Sequence, residues 1–268
     1  IYNAPDLFEI VKRDGSLLSM DQKNALLQVL TQNNEVFKGG KGYYTGEPVK
    51  LRLKADAVPF RAKPFAIPLV NREVMEDEFR RQCDIGALRR LMPEEYEERE
   101  WACPAFGIPK KNGTIRLIVD FRRINANLVR CEYPLSTTEE ILTSIGGFLF
   151  ATSLDLNMGY PSIPLDDAAK KILTIIVPFG SYKCLTLPMG VMPATDIFQA
   201  RMVHLFAGMG KSKPYPYIDD ILHFKGETFD EHLSILDNIL KLLATAGMQV
   251  SAEKSRFCQE SLKYLSFQ

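Results

Sequence analysis

Long hydrophobic runs are missing from this 268-residue chain. No apolar stretch approaches the roughly 18 residues of a membrane-spanning helix. The N-terminus lacks the charged, apolar and small-residue order of a signal peptide. Closely spaced cysteines are missing as well. Cys83, Cys103, Cys131, Cys184 and Cys258 are five in number, and no pair has the spacing of a zinc site. They read as free thiols in a reducing, intracellular compartment, cytoplasmic or nuclear. Net charge is also absent: 33 basic residues balance 33 acidic ones, so no global field announces a nucleic-acid partner. The three histidines, His204, His223 and His232, show no ligand spacing. There is no internal repeat and no low-complexity tract. The first residue is Ile, which reads as a piece of a longer protein.

What is present is an ordinary globular composition, 46% hydrophobic and 25% charged, in a chain long enough for one large domain or two modest ones. Charge is distributed locally. Lys110, Lys111, Arg116, Arg122, Arg123 and Arg130 face the single acid Asp120, while Glu94, Glu95, Glu97, Glu98 and Glu100 form a solvated acidic face.

Tyr217-Ile218-Asp219-Asp220 places two carboxylates between short apolar runs, a hairpin with acids at its tip. Adjacent aspartates alone are ordinarily a solvated turn. A third acid, Asp155, closes the apolar run from Phe148 to Leu156. Strand-borne acids that meet can cage divalent cations with phosphate oxygens, and two such ions can serve phosphoryl transfer.

Along the chain, Ser19 and Gln22 spell a capping box for a helix carrying Leu26, Leu27, Val29 and Leu30. Residues 1–18 have little periodicity, and Val49 to Phe65 reads as extended, broken by Pro59 and Pro64. Residues 70–84 are helical, with Gly86 beyond their end. Asn112-Gly113 between two strand-like runs predicts a hairpin whose tip carries Lys110 and Lys111. Ser136 to Glu139 is a second capping box, with Gly146-Gly147 as its helix stop. Lys171–Val177 and Tyr182–Leu187 read as strands around Pro178-Phe179-Gly180. A helix is predicted over 195–209 and another from the cap Thr228/Glu231 to Gly247. Val250 and Leu262 to Phe267 suggest two last strands. Strands and helices mix without regular βαβ alternation, which predicts an α+β fold, an antiparallel sheet with helices on one face.

Several segments together resemble the reverse transcriptase of gypsy-type LTR retrotransposons over roughly residues 45–268. They are WACPAFGIPKKNGTIRLIVDFRRIN (101–125), YPL (133–135), SLDLNMGY (153–160), PFGSYKCLTLPMG (178–190), DIFQ (196–199), YIDDIL (217–222), EHL (231–233) and KYLSF (263–267). The resemblance implies the fingers and palm of a right-hand polymerase. Fingers fall at 61–129 and 163–193, palm at 130–162 and 194–268, after an N-terminal leader over 1–60; the thumb is expected to follow Gln268. It also implies RNA-directed DNA polymerase activity with two Mg²⁺ ions, or Mn²⁺ in their place. The expected partners are an RNA or DNA template with primer, dNTPs and further Pol domains, within a virus-like particle or another large assembly.

Roles carry over by matching position. Asp155, Asp219 and Asp220 match the metal-binding carboxylates, and Lys254 a palm lysine that protonates the leaving pyrophosphate. Lys110 and Arg116 match the cations on the incoming triphosphate. Tyr160 matches the aromatic that excludes a 2′-hydroxyl, although a core role suits it too. Met189 and Gly190 match the loop against nucleotide and template, and Tyr264, Leu265, Ser266 and Phe267 the start of the primer grip. Pro216, Pro161-Ser162, Thr195 and Ser266 depart from the family pattern. They keep an alternative open, a catalytically inactive derivative serving as scaffold or subunit of a larger assembly.

Overall fold

The computed structural model describes residues 5–110, 113–134 and 147–262. The chain divides into two compact units, Ile1–Gly46 with Tyr133–Gly159 and Thr195–Gln268, and Glu47–Glu132 with Tyr160–Ala194. No described helix is long and apolar enough to cross a membrane.

Among the described residues the first unit is built on a four-stranded antiparallel sheet. Its strands are β4 (Ala151–Leu156), β7 (Tyr215–Tyr217), β8 (Asp220–His223) and β9 (Val250–Gln259), in the order β7-β8-β4-β9. Along β4, Leu154 and Leu156 are buried while Ser153 and Asp155 lie on the more open face, the period-two pattern of a half-buried strand. Among the described residues the α-helices of this unit are α1 (Leu7–Asp14), α2 (Met20–Gln32), α7 (Ala194–Leu205) and α8 (Phe229–Thr245). The Ser19/Gln22 box forms at α2, and Thr228 accepts from the Glu231 N–H at α8. Buried Leu233, Leu236, Ile239, Leu240 and Leu243 give α8 its apolar stripe.

The helix α1 was not expected. Its eight residues are too few for a clear period. Asp6 starts it by accepting from the Phe8 and Glu9 N–H groups, and Ile10 and Val11 bury its inner side.

The second unit holds a five-stranded sheet ordered β1-β6-β5-β2-β3. These strands are β1 (Leu88–Arg90), β2 (Cys103–Pro109), β3 (Ile115–Val119), β5 (Thr174–Val177) and β6 (Gly180–Cys184). Among the described strands of this sheet β2 and β5 pair in parallel and the other neighbours are antiparallel. Helix α3 (Leu69–Asp84) covers the sheet with Met75 and Phe79, the latter against Phe179 and Tyr182. Two short helices, α4 (Glu95–Glu98) and α5 (Arg122–Asn127), lie on the way.

The expected strand over 171–177 is a helix at its start, α6 (Asp167–Ile172), because Asp166 caps it through the Ala169 N–H at 2.8 Å; the strand begins only at Thr174. The extended segment 49–65 contributes single bridges, Val49 to Leu165, Leu53 to Leu128 and Arg61 to Ala102. Lys111, Asn112, the box at Ser136–Glu139 with Gly146, and the last predicted strand from 263 onward lie outside the described residues.

Candidate active site

The three aspartates of the first unit are gathered by sheet register. Asp155 on β4 stands directly opposite Asp220 on β8, and Asp219 occupies the two-residue turn between β7 and β8. The Asp219 carbonyl accepts from the Leu156 N–H at 2.8 Å, which ties the turn to the end of β4.

The turn itself is strained. Ile218 has φ 55°, a left-handed conformation that β-branched residues rarely adopt and that costs on the order of 1–3 kcal/mol. Gln199, on α7 and 3% exposed, holds it in place. Its Nε2 donates to the Pro216 carbonyl at 2.7 Å, and its Oε1 accepts from the Ile218 N–H at 2.8 Å. Pro216 sits on the edge strand β7, where a missing N–H is tolerated. Gln199 was missed as a site residue in the sequence; the signal was a buried amide among the apolar positions of a helix.

Space around Asp219 is controlled by Gly159. A Cβ there would lie 2.7 Å from Asp219 Oδ1 and 2.8 Å from the Phe198 ring, so any other residue would displace the carboxylate or the ring.

The electrostatics are those of a site short of positive charge. Burial, then the neighbouring Asp155 and Asp220, push Asp219 up to about 6. Burial and Asp155 also raise Asp220. Lys254 on β9 opposes this, its Nζ 3.2 Å from Asp155 Oδ1. One Asp219 oxygen, Oδ1, is buried without a hydrogen-bond partner among the described residues, an expensive condition for a carboxylate.

An orphaned oxygen beside two like charges fits a hard divalent cation. Among the described residues no three His, Cys, Asp or Glu side chains are grouped so that they could hold a metal ion by themselves.

The second unit carries Lys110, Arg116, Tyr160, Met189 and Gly190. Lys110 is exposed just past β2, where its N–H donates to the Thr114 carbonyl at 2.7 Å. Arg116, exposed on β3 opposite Ile108, lines a cleft of about 600 Å³ together with Met189, Gly190 and Pro161. Lys110 is not among its lining residues. Met189 is 68% exposed at the cleft. Gly190 has φ 91°, and its carbonyl accepts from Asn125 Nδ2 at 2.9 Å. Tyr160 is buried. Tyr264, Leu265, Ser266 and Phe267 lie outside the described residues.

The family model described as "Reverse transcriptase (RNA-dependent DNA polymerase)" matches residues 108–268. The chain belongs to the reverse transcriptase family. This reverse transcriptase domain is 32% identical to uncharacterized protein K02A2.6 of Caenorhabditis elegans over 246 residues, 90% of the chain and 19% of that protein. It is 36% identical over 163 residues to the retrovirus-related Pol polyprotein from transposon gypsy of Drosophila melanogaster, 61% of the chain and 15% of the polyprotein. The expectation of a gypsy-type domain is met. The chain thus spans less than a fifth of the length of these relatives.

Among solved structures, the foamy viral protease-reverse transcriptase in complex with double-stranded DNA superposes with a TM-score of 0.84 at 21% identity, covering 97% of this chain and 44% of that one. That likeness establishes the fold of the reverse transcriptase domain, the expected fingers and palm.

Proposed function

We propose that this chain is the fingers-and-palm part of an RNA-directed DNA polymerase that adds a deoxynucleotide to a primer 3′-hydroxyl on an RNA or DNA template. The observation that carries the reading is the carboxylate set on neighbouring strands: Asp155 opposite Asp220, and Asp219 raised to about 6 with an orphaned oxygen. Asp155 and Asp219, with Asp220 beside them, would hold two Mg²⁺ ions, or Mn²⁺, which when bound lower the pKa of the 3′-hydroxyl and neutralise the leaving pyrophosphate.

The chain's own groups do the rest. The Lys254 ammonium, held at Asp155, has a proton at Nζ to give to the departing pyrophosphate. Lys110 and Arg116 present exposed cations for the triphosphate. Tyr160, buried at the end of the Asp155 segment, would lie under the deoxyribose and exclude a 2′-hydroxyl. Met189 and Gly190 line the Arg116 cleft as a wall for nucleotide and template, and residues 264–267 would grip the primer. Duplex binding is shape-based and salt-dependent, through phosphates.

We assign the unit with the four-stranded sheet to the palm and the other to the fingers. The protein works inside the cell, as part of a longer Pol polyprotein. No observation on the site favours an inactive scaffold. The test is single-nucleotide primer extension on an RNA template, which Asp155→Asn should abolish without unfolding the chain.

A further inference from the structure

Helix α1 ends on Arg13 and Asp14, and both side chains turn onto β9. The guanidinium grips Asp14 with two hydrogen bonds, Nε to Oδ1 and Nη2 to Oδ2, each 2.7 Å. Its remaining N–H capacity goes to backbone carbonyls: Glu253 at 2.7 Å, Ser255 at 2.6 Å and, more weakly, Ala252 at 3.4 Å. Asp14 is 6% exposed. It accepts from the Phe257 N–H at 3.0 Å, and its own carbonyl accepts from Gln259 Nε2 at 2.9 Å.

Those carbonyls mark the place where β9 leaves its ladder. Ser153 and Asp155 on β4 pair with Arg256 and Ser251, so two steps along β4 are matched by five along β9. The surplus forms a bulge, whose backbone groups lack ladder partners. Ser255 closes its base: Oγ accepts from the Asp155 N–H at 3.1 Å and donates to the Ser251 carbonyl at 2.7 Å. Lys254 rides on this bulge, with its side chain 67% exposed. An exposed ion pair of that kind holds its partners weakly. The direction of Lys254 toward Asp155 must therefore come from the backbone beneath it.

We propose that Arg13, braced by Asp14, is a positioning residue for Lys254. Arg256 Nη1 also donates to the Glu253 and Ser255 carbonyls, at 3.0 and 2.8 Å, but from within the bulge itself; Arg13 ties the same carbonyls to α1, outside it, so that the ammonium is presented at Asp155. The inference rests on the proton-donor role assigned to Lys254 above. Arginine suits the task because a planar fork serves several acceptors at once, which a single ammonium does not.

The test compares the chain with Arg13→Ala and Arg13→Lys, each with Lys254 intact and with Lys254→Ala. Two quantities are read: hydrogen exchange at residues 252–256, and single-nucleotide incorporation at saturating dNTP. In Arg13→Ala the bulge amides should exchange at least about tenfold faster while α8 is unchanged. Incorporation should fall roughly ten- to a hundredfold, with KM for dNTP and primer–template affinity unmoved. Arg13→Lys should fall between, and Arg13→Ala should cost nothing further once Lys254 is alanine. Unchanged exchange, a wild-type rate in Arg13→Ala, or an equal loss with and without Lys254 would overturn the proposal. If the unsubstituted chain extends no primer, the polymerase reading falls separately. Exchange then decides alone: faster bulge exchange in Arg13→Ala supports the clamp, and unchanged exchange overturns it.

Discussion

Asp219→Asn should make the protein more stable above pH 6 while ending its chemistry. In the native state Asp219 titrates at about 6 against an ordinary 3.8, roughly a hundredfold change in proton affinity. At about 1.36 kcal/mol per pKa unit the ceiling is about 3 kcal/mol. The carboxylate is only half-buried, so solvent relaxation reduces this to about 1–2 kcal/mol. The sign follows from proton counting. The native state holds the extra proton between pH 4 and 6, so this group's contribution falls as pH rises through that window and stays low above it. Asparagine removes the charge that Asp155 and Asp220 repel and keeps the shape. Urea denaturation at pH 7.5 should show the variant about 1–2 kcal/mol more stable, with the gap closing at pH 4. Millimolar Mg²⁺ should stabilise only the unsubstituted protein. A variant that is less stable at pH 7.5, or a gap independent of pH, would refute the electrostatic account of the site.

Gln199→Leu leaves the Ile218 N–H and the Pro216 carbonyl without their partners, and should cost about 1–3 kcal/mol in urea denaturation. It should also lower kcat, since the strained turn loses its holder. His223 and His232 stack at 4.1 Å in the first unit's interior, where burial holds them down to about 3 and 4. Bases depressed this way bind protons on unfolding, so stability should fall as pH drops from 6.5 toward 4, opposite in sign to Asp219. His232→Phe should flatten that limb in a pH series of thermal melts. Tyr160→Val should raise ribonucleotide use relative to deoxyribonucleotide by roughly ten- to two-hundredfold in kcat/KM, measured on one primer–template.

Local signals were legible in the sequence. The Ser19/Gln22 box, the α8 cap and the Asp219 turn each depend on residues within a few positions of one another. The α+β class followed from the mixture of periods. What was not legible depends on register or on partners far along the chain. Helix α1 needs β9 to bury against, since eight residues do not sustain themselves in water. The start of 171–177 is apolar enough for a strand, and only the Asp166 cap decides for a helix. Asp155, Asp219 and Asp220 could be named from their setting, but their convergence is a matter of pairing Asp155 with Asp220. Gln199 and the Arg13 clamp act across 19 and 242 positions. No local pattern reports such distances.

The most direct test of the polymerase reading is extension of a DNA primer by one nucleotide on an RNA template, in Mg²⁺ and then in Mn²⁺, beside an Asp219→Asn, Asp220→Asn double variant. Incorporation that follows the template base and vanishes in a folded double variant is the predicted result. Extension that persists in the double variant, or that ignores the template base, would contradict it.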